Sequence, residues 1–275
     1  MKKIKQILEK FRLFFLRLFQ NPFSLYWHFK LIYYYFRGTN HLLGFYKKIK
    51  ILSPNENLDY LIKNKVSFVR FGTGEAHVAM GMEQHGGHTI QKAPYKLMKS
   101  VCKLFYQDSV LVGIGRRFFE NTDEENKKIG KYNMYLRNRV FLKNRLNQNK
   151  TYGEAFLFRE NFDIKKLLGY INTKTLVIIN KKNPEIESLP IGSKKYIIET
   201  PAENAFDKYE EIIEKIKKKV GENNFKKEDT LFLVAAGVAA KPLVIDIDKM
   251  GFVAWDVGAM FSNFVLKKVK KLLDQ

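Results

Sequence analysis

Strands alternating with helices along most of the chain predict an α/β fold: a Rossmann-like, largely parallel sheet covered by helices, preceded by an N-terminal amphipathic helical arm. Three observations carry that expectation. Short β-rich runs end in glycine or arginine, runs of helix formers separate them, and residues 1–50 differ in composition from the rest. With 275 residues, 45% of them hydrophobic and 14% aromatic, the chain is long enough to bury a full core.

The arm comes first. Ile4, Ile7, Leu8, Phe11, Phe14, Phe15 and Leu18 recur at helical spacing, with Lys2, Lys3, Lys5, Lys10, Arg12 and Arg17 mostly elsewhere on the wheel. Asn21-Pro22 breaks that helix, and a second aromatic stretch runs from Phe23 to Phe36. Two readings fit such a pattern: an in-plane anchor on an anionic membrane surface through residues 1–36, or an arm packed on its own domain or a second subunit. A division at residue 50 is expected, with the arm in 1–50 and the main domain in 51–275. Ser53-Pro54-Asn55-Glu56 opens the main domain as a capping box, with proline at the first helical position.

Beyond it the pattern predicts a strand over 66–71, a short helix from Glu75, a loop holding His85 and His88, and a helix over 95–106. A strand over 109–114 ends at Gly115-Arg116-Arg117. A long helical run over 123–146 precedes a strand over 151–158 that ends at Arg159. Further strands are expected over 175–179, 195–199, 230–235 and 252–256, with helices over 205–220 and 239–250 and a terminal helix to Leu273.

The net charge of +21 and pI near 9.8 imply an anionic partner: nucleic acid, membrane or phosphorylated substrate. Residues 1–50 hold eleven Lys and Arg against the single acid Glu9, so the excess is weighted to the arm. One cysteine, Cys102, excludes an intramolecular disulfide framework and a cysteine-based zinc site. Arg12 and Arg17 interrupt what would be a signal-peptide core, and no window supplies the ~18 apolar residues of a spanning helix. The expected location is therefore cytoplasmic, peripheral at the inner face of the cytoplasmic membrane.

Residues 69–77, Val-Arg-Phe-Gly-Thr-Gly-Glu-Ala-His, put a glycine-permitted turn at the carboxyl end of a strand, where α/β proteins bind ligands. Glu75 and His77 are its candidate acid–base groups. Neither Gly72-Thr73-Gly74 nor Gly113-Ile114-Gly115 continues as a dinucleotide fingerprint, and no Walker A sequence is present. Gly237 followed by Lys241 reads as a phosphate turn or as close helix-to-strand packing. Arg70, Arg116-Arg117 and Arg159 sit at strand ends, where they can line a cationic crevice for a diphosphate. Asp256 ends the last strand as a ligand contact or a helix cap. His85 and His88 have no spaced third partner for a metal.

Several segments together resemble bacterial glycosyltransferases of the GT-D fold. Arg70-Phe71-Gly72-Thr73-Gly74-Glu75 is similar to the family's Arg-Phe-Gly-Asp-Gly-Glu signature. Tyr152 to Phe156 with Arg159 is similar to its central strand, and Pro201 to Phe206 with Asn204 and Tyr209 to its Pro-x-x-Asn-Ala-Phe element. Gly237 to Lys241 and Gly251 to Gly258 complete the set. The resemblance implies a nucleotide-sugar donor, usually a UDP-hexose, and a glycan, lipid-linked or glycoprotein acceptor. It marks Arg70, Phe71, Gly72, Thr73, Gly74, Arg116, Arg159, Asn204, Gly237, Lys241 and Asp256 as donor-binding. It also implies an Asp-x-Glu motif serving Mn²⁺ or Mg²⁺. Here Thr73 stands for the first aspartate, which leaves Glu75 as sole carboxylate of a weak metal site, or a site that uses no metal. The alternatives are a glycosyltransferase-like pseudoenzyme and a non-catalytic basic nucleic-acid-binding protein; no specific nucleic-acid motif is found.

Overall fold

The computed structural model describes residues 22–81, 84–86, 89–91, 99, 102–159, 162–261 and 269. Residues 1–21, over which the first amphipathic stripe is expected, lie outside them, as do His88 and, apart from Val269, residues 262–275 of the expected terminal helix. Among the described residues no helix is long and apolar enough to cross a membrane.

Helix α1 (Pro22–Arg37) begins at a proline that needs no partner for its missing N–H, and places Trp27, Leu31 and Tyr34 on one stripe. The short α2 (Leu43–Tyr46) and strand β1 (Lys50–Ile51) lead into α3 (Pro54–Asn64). There Ser53 and Glu56 form the expected capping box and Lys65, at φ +52°, ends the helix. β2 (Ser67–Phe71) feeds α4 (Thr73–Ala79). β3 (Gln84–Gly86) and β4 (Thr89–Gln91) pair antiparallel, where a loop was expected. Their polar, glycine-bearing sequences carry no apolar alternation to announce a hairpin.

β5 (Val110–Ile114) is followed by a 3-10 turn over Arg116–Phe118. The run over 123–146 is two helices, α5 (Asp123–Lys128) and α6 (Tyr132–Leu142), because Gly130 at φ +68° turns the chain between them. β6 (Thr151–Glu154) is half the expected length. The Glu154 carboxylate accepts the Phe156 N–H at 3.0 Å, bending the chain into the Leu157–Arg159 turn. Helix α7 (Ile164–Asn172), not foreseen, leads to β7 (Thr175–Lys181). The short α8 (Pro184–Ser188) and β8 (Lys194–Thr200) follow. A 3-10 turn over Ala205–Lys208 precedes α9 (Tyr209–Asn223); then come β9 (Thr230–Ala235), α10 (Ala240–Lys249) and β10 (Val253–Asp256). Of the helix expected over 95–106, half lies outside the described residues; Lys99, Cys102 and Lys103 are helical and Leu104–Tyr106 is a 3-10 turn.

Eight strands form one sheet in the order β1-β6-β5-β2-β10-β9-β7-β8, and every pairing is parallel. β7 and β9 read as nearly unbroken apolar runs because both of their faces are covered. The period of two sorts side chains between two cores. Val69, Phe71, Phe232 and Val234 face the layer built from α1, α6, α9 and α10, while Phe68, Leu231, Leu233 and Trp255 face α3 and α7. Trp27, Tyr34, Leu42 and Tyr46 belong to the first of these cores, so the described part of segment 1–50 packs into the domain. The two halves of the chain meet between β2 and β10, and the carboxyl ends of β5, β2, β10 and β9 therefore converge.

Candidate active site

Where β2 ends, the chain turns at Gly72 and enters α4. The Glu75 carboxylate reaches back, and its Oε2 accepts the Gly72 N–H at 2.9 Å. Its other oxygen, Oε1, lies 2.5 Å from the ammonium of Lys241. Lys241 projects from the first turn of α10, which starts where β9 ends at the exposed, positive-φ Gly237. The same ammonium lies 2.8 Å from Asp256 Oδ2, at the end of β10, and donates to the Gly237 carbonyl at 3.3 Å. Three strand ends are thus joined through one cation that is 1% exposed.

Arg70 extends the network. Its backbone N–H donates to Asp256 Oδ2 at 3.3 Å, its Nε to Asp256 Oδ1 at 3.4 Å, and its Nη1 to the Ala155 carbonyl at 3.2 Å. Gly258, at φ +49°, donates its N–H to Asp256 Oδ1 at 3.1 Å, and a Cβ there would lie 1.6 Å from Arg70 Nη2. Only glycine lets the guanidinium lie against that turn. Burial opposes ionisation of Asp256, but Lys241 and Arg70 outweigh it and hold the carboxyl below its usual range. Burial likewise works against the Lys241 ammonium, and Asp256 and Glu75 overcome it and raise its pKa.

A second set of cations stands beside this cluster. Arg159 is exposed; desolvation of its covered part lowers its pKa first, and Arg70 and Arg117 lower it further, while Glu75 and Asp256 act the other way. These causes place Arg159 within electrostatic reach of all four groups. The Arg117 guanidinium lies 4.4 Å from the centre of the Phe156 ring. Its neighbour Arg116 is spent on the fold: its N–H donates to Glu154 Oε2 at 3.2 Å and its Nη2 to the Ile51 carbonyl at 2.9 Å. Of the arginine pair named from the sequence, Arg117 is the one whose charge is felt by Arg159.

Other expected site residues take supporting places. Phe71 has no exposed surface and stacks on Phe141 at 5.2 Å, so its side chain belongs to the core rather than to a donor contact. Gly74 is buried in α4, and Thr73 opens that helix. Asn204, left-handed at φ +49°, accepts the Asp207 N–H at 2.8 Å and starts the turn that packs on Gly237–Ala239. His77 does not join Glu75. Two residues further along a helix it lies roughly 200° round the axis, and Arg137 Nη1 meets its Nε2 at 2.5 Å. Arginine can only donate, so Nε2 accepts and the proton of a neutral ring sits on Nδ1. Arg137 carried no distinguishing signal in its local sequence, whereas Glu154 and Gly258 lay within segments of the family resemblance but had no role assigned to them.

The donor set fits a divalent cation poorly. Glu75 and Asp256 already face Lys241 and Arg70, and among the described residues no group of three His, Cys, Asp or Glu side chains could hold a metal ion. His85 lies in β3 and His88 outside the described residues.

No protein-family model and no curated protein matches the chain. Solved structures do. A selenomethionine structure of domain of unknown function 1792 superposes with TM-score 0.67 at 25% identity, over 84% of this chain and 85% of that one. A second structure, described as showing that this domain "has a distinct glycosyltransferase fold", gives TM-score 0.65 at 25% identity over 83% and 84%. The chain has a glycosyltransferase fold. A third structure, from Streptococcus sanguinis and described as a new glycosyltransferase, shares the fold with TM-score 0.62 at 24% identity over 81% and 85%. On that fold, the Lys241 cluster occupies the strand-end crevice in which open α/β sheets take their ligands.

Proposed function

We propose that the protein transfers a hexose from a nucleotide-sugar donor, a UDP-hexose, to a hydroxyl of a glycan, lipid-linked or glycoprotein acceptor, with side-chain cations in place of a divalent metal. The likeness to solved glycosyltransferase-fold structures supports the reaction class. The observation that carries the site is the buried Lys241 bridge between Glu75 and Asp256.

Transfer breaks the bond between the anomeric carbon and the diphosphate oxygen and makes one to the acceptor oxygen. Positive charge gathers on the sugar and negative charge on the departing nucleotide. All three N–H bonds of Lys241 are directed at Glu75, Asp256 and Gly237, so this residue neutralises and positions its neighbours. The cations that face the diphosphate in this reading are Arg159 and Arg117, both exposed, and the Nη2 of Arg70, which has no hydrogen bond among the described residues. Glu75 remains 13% exposed, and its oxygens have lone pairs left for a sugar hydroxyl or for the proton of the attacking acceptor.

A thermal-shift panel of nucleotide sugars, each with Mn²⁺ or with a chelator, tests the reading, since a bound donor stabilises the native state. A UDP-sugar is expected to raise the midpoint equally under both conditions, and the purified protein to hydrolyse or transfer that sugar. Activity abolished by chelator and restored by Mn²⁺ would remove the metal-free part. Binding without turnover would make the protein a pseudoenzyme. Oligonucleotide binding with no donor binding would favour the nucleic-acid alternative.

A further inference from the structure

We infer that the outward face of helix α1 is a docking surface for an anionic lipid bilayer, which holds the domain at a fixed orientation; the inference stands independently of the sugar-transfer reading. The helix is aromatic on both sides. Trp27 and Tyr34, 3% and 6% exposed, point into the domain core. Tyr26, Phe29, Ile32, Tyr33 and Phe36 are 56%, 65%, 49%, 51% and 83% exposed. Nine large hydrophobic side chains are exposed among the described residues, and with Tyr35 six of them lie on this one helix. Scattered single exposures need no explanation, whereas a continuous aromatic patch of this kind marks an interaction site.

Charge selects the occupant. Residues 22–50 contain Lys30, Arg37, Lys47, Lys48 and Lys50 and no acid. Lys30 lies 5.1 Å from the Trp27 ring and 5.3 Å from the Tyr26 ring, and Arg37 lies 5.5 Å from the Tyr33 ring. At the far end Lys127 lies 4.9 Å from the ring of Tyr132, which packs on Tyr35. Bulky rings with cations at their margins suit the boundary between acyl chains and anionic headgroups, where rings are buried and ammonium and guanidinium groups stay at headgroup level. The sequence that precedes the helix supports the same occupant, since residues 1–21 carry six Lys and Arg, one acid and Ile, Leu and Phe at helical spacing.

The face is bolted to the domain. The Thr39 N–H and hydroxyl both donate to Asp123, the Asn40 N–H donates to the same carboxylate, and the Asp123 N–H returns to Asn40 Oδ1. Asp123 is in turn paired with fully buried Arg139 at 3.0 Å. Docking through α1 therefore orients the whole domain rather than tethering it through a loose arm.

The experiment is vesicle co-sedimentation of the full chain with phosphatidylcholine alone and with phosphatidylcholine containing phosphatidylglycerol. Binding to the anionic vesicles, weakened by high salt, is expected. The triple variant Phe29→Ser/Tyr33→Ser/Phe36→Ser should partition at least tenfold less, and the control Tyr60→Ser/Tyr106→Ser, which removes exposed rings elsewhere, should partition as the parent does. Phe36→Ser alone, at the most exposed position, keeps the test open if the triple variant melts early. Equal binding by parent and variants overturns the inference. So does a parent that ignores anionic vesicles, or one that is a lipid-free dimer which the same substitutions turn into monomer.

Discussion

Lys241 lies 2.5 Å from Glu75, and with Asp256 and the Gly237 carbonyl it commits all of its N–H bonds inside the protein. Removing that cation leaves Glu75 Oε1 without its counter-charge and the buried Asp256 with Arg70 as its one cation among the described residues. Lys241→Met is expected to cost about 3–5 kcal/mol, the usual penalty for breaking a buried pair, and to abolish sugar transfer. Glu75→Gln, at a partly exposed position, should cost less. A double-mutant cycle in urea should return a coupling of about 1–3 kcal/mol. Additive effects would show that the two side chains do not pair in solution.

Gly258 and Gly130 separate two reasons for needing glycine. Both have positive φ, but a Cβ on Gly258 would strike Arg70, whereas one on Gly130 would meet nothing within 4 Å. Gly130→Ala should therefore cost about 1 kcal/mol of backbone strain with normal kinetics. Gly258→Ala should cost stability and also raise the donor KM, because Arg70 must leave its place. Steady-state kinetics beside denaturant melts distinguish the two, and unchanged KM in Gly258→Ala would remove Arg70 from donor binding.

The arginines divide in the same way. Arg159→Ala should raise the donor KM roughly tenfold, the effect of one charge-assisted hydrogen bond, with an unchanged melting midpoint. Arg116→Ala, which loses its bond to the Ile51 carbonyl, should lower the midpoint and leave KM alone. The reverse pattern would exchange their roles.

Much of this was legible in the chain. The Ser53–Glu56 box, the glycine turn before Glu75 and the strand-to-helix step from Gly237 to Lys241 are local patterns, and the structure has each of these local shapes at its expected place. The Lys241 bridge was not legible, because it exists only when β2, β9 and β10 become neighbours, a fact of sheet order. That order also revised Lys241 from a free phosphate ligand to a saturated one. Phe71 looked like part of a ligand motif, yet the strand period turns its ring into the core. Helix α1 resisted reading for another reason: rings on both of its sides erase the contrast by which a buried face is recognised.

Asp256 gives the site a pH signature. Its pKa is depressed in the folded protein, so its contribution is present above the unfolded value of about 3.9 and is lost as pH falls through the lower folded value. Lys241 is raised, so its contribution holds below about 10.4 and is lost as pH rises through the higher folded value. Stability from this cluster should be flat between about pH 5 and 10. Urea melts should show a gap between parent and Asp256→Asn that is constant at pH 5 and 7 and narrows below about 4, as the unfolded chain's carboxyl takes up its proton before the native one does. A gap that persists into acid would mean that Asp256 is not ionised in the native protein.

Asp123 and Asp59 both form ion pairs, and their surroundings predict opposite outcomes. Asp123 meets Arg139, which has no exposed side-chain surface and also donates its Nε to the Phe118 carbonyl at 2.6 Å. Removing the carboxylate strands that guanidinium in the core and orphans the Thr39 and Asn40 N–H groups that hold the end of α1. Asp123→Ala should cost about 3–5 kcal/mol and loosen α1, which hydrogen exchange at residues 25–37 would register as lost protection. Asp59 meets Lys166 with 54% and 45% of the two side chains exposed. Water and salt screen that pair, so Asp59→Ala should change stability by less than about 1 kcal/mol. Equal costs for the two substitutions would show that burial does not set the worth of these pairs, and α1 would lose its claim to be a rigid part of the domain.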